Sequence, residues 1–139
     1  MNSDGTNARP FTSRRGVTYE YACDFSPDGK QLVYLANDDE SSTYRIRILS
    51  ISDRNQSNFS NGIVALGVRW STDGRYLYYN TGTEVMKIRA DAKEGPKSVY
   101  RFEGGLYISS FDLSRDDKHI VYDDSGAERD GTIYVGLLH

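Results

Sequence analysis

One phrase is spelled three times along the chain: Asp24-Phe-Ser-Pro-Asp-Gly-Lys-Gln-Leu-Val-Tyr34, Arg69-Trp-Ser-Thr-Asp-Gly-Arg-Tyr-Leu-Tyr-Tyr79 and Asp112-Leu-Ser-Arg-Asp-Asp-Lys-His-Ile-Val-Tyr122. Each copy reads as a tight turn feeding a short apolar strand. In the first, Pro27 presets a φ of about −65° and Gly29 supplies the positive φ that turns the chain back. Gly74 repeats the device. The third copy has Asp117 there, a residue that reaches the left-handed region at modest cost, so this turn is expected to be the least comfortable. The recurring set Ser26, Asp28, Gly29, then Ser71, Asp73, Gly74, then Ser114, Asp116, is read as turn-forming and structural.

The turn aspartates Asp28, Asp73 and Asp116 lie 45 and 43 residues apart. A β-like period of about 40 to 45 residues is the size of one four-stranded propeller blade. Alternation and turn residues divide the chain accordingly. Blade one covers 13–60, with strands near 17–25, 31–36, 43–51 and 56–60. Blade two covers 61–103, with strands near 62–70, 75–80, 84–89 and 97–102. Blade three covers 104–139, with strands near 105–113, 119–123 and 132–138, and lacks its outer strand. Phe25, Trp70 and Leu113 precede the three turns, and Trp70 is expected to fill space between blades.

Residues 1–12 read as the end of a third strand, a Ser-Asp-Gly-Thr turn and an outer strand that closes some other blade. Three blades are too few to close a ring, which takes about four or more. Two chains could supply six, each lending residues 1–12 to blade three of the other, so that no sheet edge is left over. The rival reading is a piece of a longer propeller.

On these residues the chain resembles the TolB-type β-propellers, whose repeats carry a Trp/Phe-Ser-Pro-Asp-Gly-Lys turn. Phe25-Ser26-Pro27-Asp28-Gly29-Lys30 matches throughout, Trp70-Ser71-Thr72-Asp73-Gly74-Arg75 departs at two positions, and Leu113-Ser114-Arg115-Asp116-Asp117-Lys118 is a degenerate copy. Asp4-Gly5-Thr6 with Phe11-Thr12 is similar to the family's turn and outer strand. The resemblance implies six-bladed propellers of the kinds found in periplasmic TolB, in sensor domains of bacterial signalling proteins and in the gating domain of prolyl-oligopeptidase-like hydrolases. It implies a bacterial periplasmic or other extracytoplasmic location, although the chain shows no signal peptide. Oligogalacturonate lyases share such a propeller with a manganese site built from several histidines, whereas this chain has only His119 and His139.

Composition narrows the function classes. The chain is 12% aromatic with eleven Tyr and thirteen Gly, which favours strands and turns over helix. A net charge of −3, with both signs mixed, offers no basic stripe for nucleic acid. No apolar run reaches the ~18 residues of a membrane-spanning helix. Cys23 is the lone cysteine, so an internal disulfide is excluded, and its place in an apolar run predicts a small buried side chain. Neither histidine has a Ser or Cys partner at recognisable spacing for a catalytic triad. The acidic runs Asp38-Asp39-Glu40 and Asp123-Asp124 fall in loops without the ligand spacing of a dedicated calcium loop, and no cofactor is expected beyond an ion such as calcium in the channel.

One constellation is placed by the repeat itself. Asp24, Arg69 and Asp112 occupy the same position in the three blades, near the end of each innermost strand. In a closed ring they form alternating charges around one channel mouth, suited to an ion, a water network or a charged peptide end. The competing expectation is that they pair with one another across blades and bind nothing. The sequence therefore points to a non-enzymatic scaffold or binding module for a protein, peptide or small ligand. An accessory gating propeller of a hydrolase and a sensor propeller are the alternatives.

Overall fold

The computed structural model describes residues 4–12, 19–37, 44–59, 63, 65–102, 108, 110–123 and 132–139. The described residues are all-β, with eleven strands in three antiparallel sheets. The first sheet holds β1 (Tyr19–Phe25), β2 (Gln31–Asn37), β3 (Arg45–Ser50) and β4 (Gln56–Asn58), in that spatial order. The second holds β5 (Gly67–Trp70), β6 (Tyr76–Asn80), β7 (Glu84–Arg89) and β8 (Lys97–Arg101). The third holds β9 (Phe111–Leu113), β10 (His119–Asp123) and β11 (Ile133–Leu137), and β11 forms its edge. The strand beginnings expected near 17, 62 and 105, the run Asp38-Asp39-Glu40, Asp124 and residues 1–3 lie outside the described residues.

The three recurring turns are built alike. The Ser26, Ser71 and Ser114 hydroxyls donate to Asp28, Asp73 and Asp116 at 2.7, 2.7 and 2.5 Å. The same hydroxyls accept the N–H of Gln31, Tyr76 and His119, each at 2.9 Å. Each aspartate also accepts the N–H two residues on, from Lys30, Arg75 and Lys118. Gly29, Gly74 and Asp117 have φ of 67°, 69° and 54°, so the third turn does place a non-glycine residue in the left-handed region.

Alternation along the strands gives each sheet two apolar faces, and stacking the sheets buries them. Between the first and second sheets lie Val33, Leu35, Ile46 and Ile48 on one side, with Val68, Trp70, Leu77, Tyr79 and Ile88 on the other. Between the second and third lie Tyr78, Val85 and Val99 against Phe111, Ile120 and Tyr122. Trp70 is 7% exposed, so it does fill space between blades.

Cys23 corrects an expectation, because the thiol is exposed rather than buried. The β1–β2 register breaks between Tyr21 and Asp24, where Ala22 takes a φ of 52°, and Cys23 sits in that bulge. By its place in the repeat it matches Val68 and Phe111, which are buried because a preceding sheet covers them. No described sheet precedes blade one. Phe25, which matches Trp70, is 61% exposed for the same reason.

Residues 4–12 belong to none of the three sheets. They fold as a turn and an extended segment, and Phe11 packs against a cluster of Tyr34, Ala36 and Leu49 on the outer face of blade one. The Arg54 guanidinium lies 5.0 Å from the centre of the Phe11 ring, a cation–π contact.

Candidate binding site at the inner strands

The innermost strands β1, β5 and β9 stand side by side, and each carries one of the repeat-placed charges near its end. Arg69 meets Asp112 with Nε 3.4 Å from Oδ1. Asp24 makes a different contact: its Oδ2 accepts the backbone N–H of Trp70 at 2.8 Å. The three residues therefore act first as links between consecutive blades. Asp24 ties blade one to blade two, and the Arg69–Asp112 pair ties blade two to blade three.

Beside these links is a cleft of about 360 Å³ lined by Tyr21, Ala22, Leu66, Gly67, Arg69, Ser110 and Phe111. Its aromatic lining residues are Tyr21 and Phe111 and its charged one is Arg69, whose guanidinium carbon lies 5.9 Å from the Phe111 ring centre. One N–H of Arg69 is spent on the Val68 carbonyl at 2.9 Å. A guanidinium carries five N–H groups, so donors remain for a ligand beyond this bond and the Asp112 pair. An aromatic-lined cleft with one such cation suits a partly apolar ligand with an anionic group.

Two inter-blade links carry no signal in the repeat pattern. Asp117 accepts the N–H of Thr72 at 2.9 Å and its hydroxyl at 3.0 Å, across 45 residues of sequence. The departure from glycine in the third turn thus has a purpose, since the carboxylate clasps the preceding blade. Asn80, fully buried, donates to the Ile108 carbonyl at 2.6 Å and accepts the N–H of Gly82 at 2.6 Å. Both ends of this buried amide are thus engaged in holding neighbouring backbone.

Ser114, Asp116 and His119 come together but in the wrong order for acyl transfer. The Ser114 hydroxyl donates to Asp116 rather than to an imidazole, while His119 Nδ1 lies 3.8 Å from Asp116. A nucleophilic serine needs its proton directed at the base. The same serine–aspartate bond stands in blades one and two, where Gln31 and Tyr76 replace the histidine. These hydrogen bonds hold the Asp28 and Asp116 carboxyls below their ordinary range, the serine hydroxyl contributing most. The Arg75 N–H, followed by the Ser71 hydroxyl, lowers Asp73 to about 2. Asp123 accepts the N–H of Ser110 at 3.2 Å. Among the described residues, no group of three or more His, Cys, Asp or Glu side chains is placed to hold a metal ion.

No protein-family model and no curated protein matches the chain. Solved structures do. TolB from Acinetobacter baumannii superposes with a TM-score of 0.66 at 21% identity, covering 92% of this chain and 34% of that one. An oligogalacturonate lyase in complex with manganese gives 0.71 at 18% identity, with 100% of this chain and 40% of that one covered. A prolyl endopeptidase gives 0.59 at 16% identity over 87% of this chain and 22% of that one. The chain thus spans two fifths or less of each of these three proteins. At these identities the likeness speaks to architecture: the chain has the TolB-like β-propeller fold, in three blades.

Proposed function

We propose that this chain is a non-enzymatic binding module whose ligand is a peptide or small molecule with an anionic group, held at the mouth between β1, β5 and β9. The observation that carries the reading is the cleft of about 360 Å³ with Tyr21 and Phe111 as its aromatic lining and Arg69 as its cation. The two repeat-placed carboxylates are committed to structure, Asp24 to the Trp70 N–H and Asp112 to Arg69. An anchored guanidinium beside aromatic residues is suited to holding a ligand with an anionic group. We infer an extracytoplasmic setting from the resemblance to TolB.

The test is calorimetric titration of the chain with short peptides ending in an aromatic residue and a free α-carboxylate, beside the same peptides amidated at that end. Binding of the free acids, weakened about tenfold or more by amidation and by Arg69→Gln, supports the site. Equal binding by both forms, or turnover of the peptides by the chain alone, contradicts it.

A second reading is an accessory propeller that gates a catalytic unit, favoured by the prolyl endopeptidase among the structures of like fold. On that reading the chain alone binds no peptide, and its effect appears as altered substrate size selection when joined to a hydrolase.

A further inference from the structure

Among the described residues, the two end faces of the three-blade stack are both exposed, and in complementary ways. On blade three, the face turned away from blade two carries Val121, Ile133, Val135 and Leu137, exposed by 38, 64, 70 and 57%. The registers identify what these positions are elsewhere. Val121 pairs with Val135 and Asp123 with Ile133, as Val33 pairs with Ile48 and Leu35 with Ile46. Those four residues of blade one are the core against blade two, exposed by 6% or less. Blade three therefore presents the apolar surface that a following blade covers, with nothing on it among the described residues.

Blade one presents the receiving side. Cys23 and Phe25 are exposed where their counterparts Val68 and Trp70 are buried. Residues 4–11, whose Phe11 packs on the same blade, reproduce the end of a blade. Asp53 and Asp91, which follow β3 and β7, each accept the N–H two residues on and are followed by a residue with positive φ. Asp4 does the same, with Thr6 as donor at 2.9 Å and Gly5 at φ 83°. After the outer strands, Phe59 packs against the cluster containing Tyr79, and the Phe102 ring lies 4.7 Å from that of Tyr122. Phe11 packs likewise against the cluster containing Tyr34, the counterpart of Tyr79 and Tyr122. Residues 4–11 are thus a third-to-fourth-strand turn, an outer segment and its closing phenylalanine, already in position but lacking the sheet to which such a segment belongs.

Among the described residues the third sheet has three strands where the others have four. We infer that two copies of this chain dock end to end, blade three of each against blade one of the other, with residues 8–10 of each copy pairing along β11 of its neighbour. The result is a closed six-blade ring with two identical junctions, each continuing the inter-blade packing already present within one chain. Individual contacts follow from the repeat. Phe59 donates its N–H to the Ile46 carbonyl at 2.9 Å, so Phe11 of one copy donates to the Ile133 carbonyl of the other. Asp112 stands where Asp24 does, and takes the Phe25 N–H of the second copy as Asp24 takes that of Trp70.

Sedimentation equilibrium of the intact chain over a wide concentration range tests this. The expected particle has twice the 15.7 kDa mass of one chain. Val135→Glu, a change at a side chain 70% exposed in the single chain, is expected to give single chains with an unchanged far-ultraviolet spectrum. Ile133→Glu on the same face serves as the second variant and is expected to do the same. The Cys23 thiol should react with a disulfide reagent at least about tenfold more slowly in the intact chain than in these variants, because docking covers it. A single-chain mass at every concentration, masses that climb without limit, a pair that survives both substitutions, or equal thiol rates would each overturn the inference.

Discussion

Asp24 Oδ2 accepts the backbone N–H of Trp70 at 2.8 Å, joining residues 46 positions apart and fastening the first blade to the second at their inner edge. Charge-assisted bonds of this kind contribute about 1.5–3 kcal/mol, and the donor left behind is part-buried. Asp24→Ala is therefore expected to lower the unfolding free energy by about 1–3 kcal/mol, and Asp24→Asn, which keeps an acceptor, by clearly less. Urea titration followed by the fluorescence of the single Trp70 measures both.

The Thr72–Asp117 clasp makes a sharper prediction, because its two halves are separable. Asp117→Gly relieves the φ of 54° while losing the bonds to Thr72, so the opposing effects bring its net cost near zero. Thr72→Val is expected to destabilise the natural chain by about 1 kcal/mol and the Asp117→Gly chain by much less. A double-mutant cycle in urea reads the coupling, expected at about 0.5 kcal/mol or more; additive effects would show that the clasp contributes nothing.

Gly136 is a position where size decides. A Cβ there would stand 2.3 Å from Cε2 and 2.5 Å from Cζ of Tyr100. Tyr100 cannot swing away freely, since its ring packs on Phe102 and Tyr122 and its hydroxyl meets that of Tyr122 at 3.2 Å. Gly136→Ala is expected to destabilise by about 1–3 kcal/mol, as overpacked sites do. Thermal unfolding would show this as a lowered midpoint.

Acid should loosen the turns together. A carboxyl whose folded pKa is depressed stabilises the fold above its unfolded pKa and loses that contribution as pH falls towards the folded value. For Asp73 the window runs from 3.8 down to about 2, and Asp28 and Asp116 shift in the same direction. Stability is therefore expected to be insensitive to these groups above about pH 5 and to fall steadily below pH 4. Asp73→Asn should flatten part of that fall.

The local part of this structure was legible in the sequence and the long-range part was not. The Ser-x-Asp turns repeat as residues, so the blades and β7 over 84–89 could be placed from the pattern. Among the described residues β5 covers Gly67–Trp70, where it pairs with β6, a bound that an apolar run does not mark. The exposure of Cys23 depends on a bulge and on the absence of a covering sheet, neither of which alternation encodes. The roles of Asp117 and Asn80 belong to contacts with a neighbouring blade. Arg69 pairs with Asp112, whereas Asp24 turns to a backbone N–H that no charge pattern reveals.

The most direct test is amide hydrogen exchange at β11 in the intact chain. Leu138 donates its N–H to the Lys118 carbonyl at 2.9 Å. Antiparallel alternation then directs the N–H groups of Tyr134 and Gly136 towards β10 and those of Ile133 and Val135 towards the open edge. If a second chain completes this sheet, Ile133 and Val135 will exchange as slowly as their counterparts Ile46 and Ile48, and will lose that protection in a chain lacking residues 4–11. Exchange of Ile133 and Val135 at the rate of an exposed strand edge in the intact chain would contradict the closed ring.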